Sequence, residues 1–185
     1  MHHKYAERRY QLEAGFGEED LKGLHSGGLT LRRARVSDVE EILALVNSYA
    51  SSNLMLPRGP EYLYENIRDF VVVEADVGRA PPRIVACGSL HVLWEDIAEI
   101  RSLATHPQFQ HRGLASQIVR YLVGEGRKVG IKKVFAFSTM GGIFEKLGFK
   151  PKRKEELPSK VWGECIRCPK YFCCDETGFI LDCAD

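Results

Sequence analysis

The chain has 185 residues, 44% of them apolar, and 26 basic against 25 acidic side chains give a formal charge of only +1. That length supports one substantial core, and the balanced charge leaves no basic stripe of the kind that nucleic acids or anionic membranes select. No apolar run reaches the ~20 residues of a membrane helix and no apolar signal segment opens the chain, so a cytoplasmic protein with no nucleic-acid or membrane partner is expected.

Residues 1–28 are polar and punctuated by Gly15, Gly17, Gly23, Gly27 and Gly28, and read as an N-terminal extension. "LTLRRA" is a first strand. Ser37 followed by Glu40 forms a capping box at a helix start, and Val39, Leu43, Val46 and Ala50 continue it as an apolar stripe. "NLMLPRGP" is a loop and "EYLYENI" a short helix. "DFVVVEA" has the β-branched density of a buried strand. "RIVACGSLHVL" and "IAEIRSLAT" are two strands of a hairpin joined through "WED".

A polar stretch, "HPQFQHRGLA", separates the second of these strands from a helix whose apolar face carries Leu114, Ile118, Leu122 and Val129. "KKVFAFST" returns as a strand. "IFEKLGF" is a short helix capped by Gly148, the basic knot Lys150–Lys154 is a solvated loop, and an irregular tail follows. The order predicts an α/β architecture, a mixed central sheet flanked by helices, over residues 29–162. Residues 163–185 form a cysteine-rich tail packed on that domain.

The strand, polar loop and helix arrangement has a chemical consequence. The first N–H groups of a helix have no internal partner and point outward at the positive end of the dipole, which suits an anion. Gly113 lets backbone approach a ligand closely, and Ala115 is nearly as small, so a diphosphate fits. Gln110-x-x-Gly113-x-Ala115 after "SLATHP" resembles the acetyl-coenzyme A signature of the GNAT acetyltransferases, and the element order across residues 30–150 resembles that fold. "AEIRSLATHP", "VFAFST", "FEKLGF" and "ELP" further resemble the N-acetylglutamate synthase group. "CGSLHVLWEDIAEIR" resembles its short, stand-alone members.

The resemblance implies that Gln110, His111, Arg112, Gly113, Leu114 and Ala115 bind the pyrophosphate of acetyl-CoA, and that Leu103, Ala104 and Thr105 line its pantetheine and thioester. It also implies transfer of the acetyl group to the α-amino group of L-glutamate, the first step of arginine biosynthesis, by direct attack. An incoming ammonium must lose a proton first. Glu99, on one strand face with Arg101, is the expected base, and its alternative is a structural pair with Arg101. Phe144 stands where many of these enzymes have a tyrosine acid, which leaves the Ser138 hydroxyl to assist the departing thiolate or merely to cap its strand.

For a carboxylate-bearing acceptor, Arg58 is the main candidate ligand. Arg101 is the second, although pairing with Glu99 would weaken that base. His91 reads as a core or edge residue, and Cys87 is not needed for the transfer.

Cys165, Cys168, Cys173, Cys174 and Cys183 could supply a tetrahedral structural zinc site or remain buried thiols, and both readings stand. A homodimer is compatible with the sequence. Glutamine, another amino acid or a protein amine as acceptor, and a non-catalytic acetyl-CoA-binding regulatory module, are the alternatives in function.

Overall fold

A computed structural model describes residues 28–76, 81–153, 156–157, 168 and 171–183. The described residues include seven strands; the first five, with the helices among them, follow the expected order, and two more follow the last helix. The elements are β1 (Leu29–Arg33), α1 (Val39–Ala50), α2 (Pro60–Asn66), β2 (Phe70–Ala75), β3 (Arg83–Val92) and β4 (Ile97–Thr105), then α3 (Leu114–Lys128), β5 (Lys133–Ser138), α4 (Gly141–Lys146), β6 (Lys150–Lys152) and β7 (Thr177–Asp182). The strands hydrogen-bond in the order β1-β2-β3-β4-β5-β7-β6. β1 and β2 run antiparallel, β4 and β5 parallel, and β7 antiparallel to both β5 and β6, so the sheet is mixed as expected.

The chain gathers into two compact units. One comprises the described residues up to Gly88 together with Ser102–Ile118, the other Ser89–Arg101 together with the described residues from Val119 onward. In the first unit the apolar stripe of α1, Val39, Ile42, Leu43, Leu45 and Val46, packs with Leu63 of α2 and with Phe70, Val72, Ile84, Cys87 and Ala104 of the strands. The entry to the helix is capped at Arg35, two residues before the Ser37 that its spacing with Glu40 suggests. Ser37 lies inside a 3₁₀ turn, Val36–Asp38, and the Asp38 carboxylate accepts the Arg35 amide at 2.7 Å. Arg32 donates to both Asp38 oxygens, at 2.7 and 3.0 Å, and this ties the entry to α1 onto β1. Burial works against ionised Asp38, yet the hydrogen bonds from Arg32 and the Arg35 amide outweigh it and hold the carboxyl below its ordinary value.

In the second unit Ile97, Phe135 and Leu157 form a core with Leu93, Phe137 and Ile180 packed against it. Val129 does not join the apolar face of α3; it is 69% exposed. The helix stops at Lys128 because Gly130, at φ +89°, opens a Schellman cap, its N–H bonding Arg127 O at 3.1 Å while Ile131 N bonds Gly126 O at 2.9 Å. Ile131 is buried in place of Val129. Gly148 caps α4 in the same way, as its sequence position predicts.

The tail departs from the sequence expectation. Thr177–Asp182 is a strand whose residues pair with β5 on one side, and Gly178–Ile180 also pair with β6 on the other. The basic knot correspondingly contributes an exposed edge strand, Lys150–Lys152, where Pro151 is tolerated because edge positions do not all need an N–H donor. Phe179 is buried and stacks on Phe144, with ring centroids 5.6 Å apart and planes 15° from parallel. Gly178 is required by space as well. A Cβ there would lie 2.8 Å from Leu157 Cδ1 and 3.1 Å from the Lys152 carbonyl.

Phe179→Ala should therefore lower the unfolding free energy by about 3–5 kcal/mol, measured by denaturant titration. A loss below about 1 kcal/mol would mean that this end of the chain adds little to the second unit.

Candidate functional site

At the end of β4 the chain turns through a 3₁₀ segment, Pro107–Phe109, before α3 begins. Two buried side chains fix that turn. Phe109 is sealed in the core, and His106 hydrogen-bonds Val85 O through its backbone N–H at 2.8 Å. Burial, and to a lesser degree the charge of Arg83, push the His106 ring below its ordinary pKa, so at neutral pH Nδ1 is free of a proton and accepts the Gln108 amide at 3.3 Å. The Phe109 ring also supports Arg112, whose guanidinium carbon lies 5.1 Å from its centroid.

The segment that follows is exposed from Gln110 to Gly113. His111 adopts φ +62° and Gly113 φ +79°. A side chain at the first of these conformations costs about 1 kcal/mol or more. Glycine relieves that cost at the second, and nothing lies within 4 Å of where its Cβ would be. The first bond of α3 runs from Gln117 N to Gly113 O at 3.0 Å. The N–H groups of Leu114, Ala115 and Ser116 therefore precede any intrahelical acceptor. Among the described residues none of the turn or loop backbone bonds is donated by His111, Arg112 or Gly113 either. Gln110 differs from its neighbours, since its N–H is already spent on Pro107 O at 3.3 Å. The orphan donors begin at His111.

Just upstream, β4 carries a kink. Ser102 stands at φ +52° in the middle of the strand, a left-handed residue of the kind found in β-bulges. Its carbonyl accepts the Cys87 thiol at 3.5 Å, and its hydroxyl accepts Arg58 Nε at 3.4 Å. Burial pushes the Cys87 thiol up to about 12, so it stays protonated and is no nucleophile. Ala104 turns its side chain into the core, whereas Leu103 and Thr105 are half-buried. The Thr105 hydroxyl oxygen is buried with no partner among the described residues.

Arg58 is held on three sides. Asn47 of α1 donates to the Arg58 carbonyl and accepts the Arg58 N–H, both at 2.9 Å, and the guanidinium lies 4.2 Å above the Tyr62 ring centroid. Tyr49, two residues along α1, donates its hydroxyl to Thr105 O and accepts Gln110 Nε2 at 2.8 Å. Neither Asn47 nor Tyr49 stood out in the sequence. Both lie within a helix whose apolar stripe explains its presence without them.

In the second unit Glu99 is 7% exposed, and Oε2 receives both Nε and Nη2 of Arg101 at 2.6 Å. The two share a strand face, as alternation requires. Ser138 ends β5 and accepts the Met140 N–H at 2.9 Å through its hydroxyl oxygen. That bond uses a lone pair and leaves the hydroxyl proton to donate. Phe144 is buried between Phe149 and Phe179, so α4 presents no phenol at that position. His91 is buried, its Nε2 2.9 Å from Ser89 Oγ, while Ser89 donates to Arg101 O at 3.2 Å. It occupies the structural position its sequence context predicts.

The zinc expectation finds no support. Among the described residues no three His, Cys, Asp or Glu side chains gather as metal ligands, and the described cysteines are thiols rather than disulfides. Cys165 lies outside the described residues. No helix among the described residues is long and apolar enough to cross a membrane.

Residues 38–149 match the acetyltransferase (GNAT) family. The chain is 31% identical over 150 residues to an uncharacterized N-acetyltransferase of Chlorobaculum tepidum, covering 81% of this chain and 94% of that protein. It is 34% identical to an amino-acid acetyltransferase of Mycobacterium tuberculosis, covering 74% of this chain and 77% of that one. Its structure resembles the N-acetylglutamate synthase of Neisseria gonorrhoeae complexed with coenzyme A and N-acetyl-glutamate, at a TM-score of 0.73 and 25% identity. That likeness covers 85% of this chain but only 35% of the longer synthase. The chain belongs to the GNAT family of acetyltransferases and is an acetyl-CoA-dependent N-acetyltransferase.

Proposed function

We propose that the acceptor is L-glutamate and the product N-acetyl-L-glutamate, the opening step of arginine biosynthesis. The observation that carries this reading is the first turn of α3, where consecutive amides from His111 onward have no acceptor among the described residues. These amides grip the diphosphate of acetyl-CoA beside the positive end of the helix. Leu103 and Thr105, with the backbone of Ala104, run along the pantetheine arm. The turn makes coenzyme A the donor; the likeness to amino-acid acetyltransferases and to N-acetylglutamate synthase supports an amino acid as acceptor.

Arg58 selects that acceptor. A planar guanidinium offers two parallel N–H donors to a carboxylate, and the Ser102 hydroxyl and Tyr62 ring set its plane. Arg101, the other arginine considered, is engaged with Glu99 and serves to orient it.

Chemistry then follows from proton bookkeeping. Glu99, oriented by Arg101, takes a proton from the glutamate ammonium, directly or through a water. The freed amine attacks the thioester carbonyl, the carbon–sulfur bond breaks, and the coenzyme leaves as a thiolate. With a model thiol pKa of about 8.5 that thiolate needs little help; the second proton, shed by the nitrogen as the amide forms, reaches the sulfur through the Ser138 hydroxyl, which gives up its own proton and takes that one. Cys87 takes no part, being buried and protonated.

A coupled thiol-release assay with glutamate, glutamine, lysine and ornithine tests the acceptor. Glutamate should be turned over fastest, and equal rates across the panel would reject glutamate specificity. Glu99→Gln should reduce kcat by about 10²- to 10⁴-fold while coenzyme A binding, read by calorimetry, stays intact. If the purified chain transfers acetyl to no amine yet binds coenzyme A, a regulatory module replaces the enzyme reading. Arg58→Ala should raise the KM for glutamate by roughly 10- to 100-fold and leave the KM for acetyl-CoA unchanged. Arg58→Lys should recover little of this, because an ammonium cannot reproduce the fork; full recovery would argue against bidentate binding.

A further inference from the structure

The Tyr49 hydroxyl ties together the two ends of the segment that leads into the cofactor turn. It donates to the carbonyl of Thr105, the last residue of β4, and accepts the side-chain amide of Gln110, the residue before the left-handed His111. Between these two anchors run His106 and the 3₁₀ segment Pro107–Phe109. The hydroxyl reaches them from α1, which is fixed in the first unit by the burial of Leu45 and Val46. Tyr49 is itself half-buried, and burial raises its pKa, so the phenol remains a donor at physiological pH.

We infer that Tyr49 is a positioning residue for acetyl-CoA: it clamps the Thr105 carbonyl and the Gln110 side chain, and so sets the direction of the orphan amides from His111 onward. A turn holding two departures from ordinary backbone, φ +62° at His111 and φ +79° at Gly113, has alternatives open to it, and each alternative aims those N–H groups elsewhere. A diphosphate bound by several amides needs all of them convergent at once, and pre-organising them removes an ordering cost from binding. Tyr49 touches neither thioester nor acceptor in this scheme. Its effect falls on affinity for the nucleotide end of the coenzyme.

Asn47 and Tyr49 are two residues apart, about 200° around a helix, so they reach in different directions. Asn47 holds the Arg58 backbone. That separation predicts that removing the Tyr49 hydroxyl disturbs the cofactor and leaves the acceptor arm in place.

The inference rests on the reading that the turn after His111 grips the diphosphate, and the experiment separates the two. Coenzyme A binding to the whole chain is measured by calorimetry for the native protein, Tyr49→Phe and Gly113→Val. Steady-state kinetics are run with acetyl-CoA and with acetyl-pantetheine, which lacks the diphosphate. Tyr49→Phe should weaken coenzyme A about tenfold and raise the KM for acetyl-CoA to match. The KM for the acceptor and kcat/KM for acetyl-pantetheine should stay within twofold of native. Adding Gln110→Ala to Tyr49→Phe should cost little more, since both act through one clamp. Gly113→Val that abolishes coenzyme A binding, alongside Tyr49→Phe that binds as the native protein does, would overturn the inference and leave the turn assignment standing. Unchanged binding in Gly113→Val would remove the turn assignment and the inference with it. An equal loss with acetyl-CoA and acetyl-pantetheine in Tyr49→Phe would show a general packing role and would also overturn the inference.

Discussion

A helix must begin somewhere, and its first amides need acceptors that the helix cannot provide. At the start of α3 no described residue meets that need, and His111 and Gly113 take left-handed conformations in an exposed segment, Gln110–Gly113. Much of the surrounding structure makes sense as support for this turn. His106 and Phe109, which precede it, are buried, the His106 ring stays neutral to hold the Gln108 amide, and Tyr49 of α1 bonds both ends of the segment that leads into it. Water can satisfy exposed donors, so the turn is stable alone. Its arrangement matters when an anion with several oxygens arrives and can replace several waters together.

The same economy of parts governs β4. Along this one strand Glu99 pairs with Arg101, Ser102 bends the backbone and receives Arg58, Ala104 faces the core, and Thr105 gives its carbonyl to Tyr49. A regular strand would alternate faces without interruption. The left-handed residue at Ser102 breaks that rhythm, and the Cys87 thiol binds the carbonyl exposed by the break. Cys87 is thus explained by backbone satisfaction rather than chemistry, and a buried, protonated thiol suits that task.

How much of this was legible before any coordinates is a matter of range. Periodicity exposed α1 and the hairpin because their patterns are local, and Gly148 announced a cap because glycine alone fits there cheaply. The turn proposed to hold the cofactor was legible as a strand-to-helix loop, with Gly113 at its left-handed position. The Glu99 and Arg101 pair followed from alternation. β7 was not legible, since "TGFILD" follows a cysteine-rich stretch and its strand character depends on partners in β5 and β6. Tyr49 and Asn47 were equally hidden. Their partners lie far along the chain, and no local pattern records a hydrogen bond from Tyr49 to Thr105 or from Asn47 to Arg58. The Ser102 kink had no signal either, because serine is an ordinary strand residue and glycine would have been the visible clue.

The most direct test of the central claim follows backbone amides one by one. Amide nitrogen–proton NMR spectra recorded during titration with coenzyme A report which N–H groups gain a charged acceptor. The account predicts that the largest downfield proton shifts fall on residues His111–Ser116, with Gln110 moving less because its N–H is already bonded. Saturable binding that leaves those amides unmoved, with the large shifts elsewhere, would contradict it.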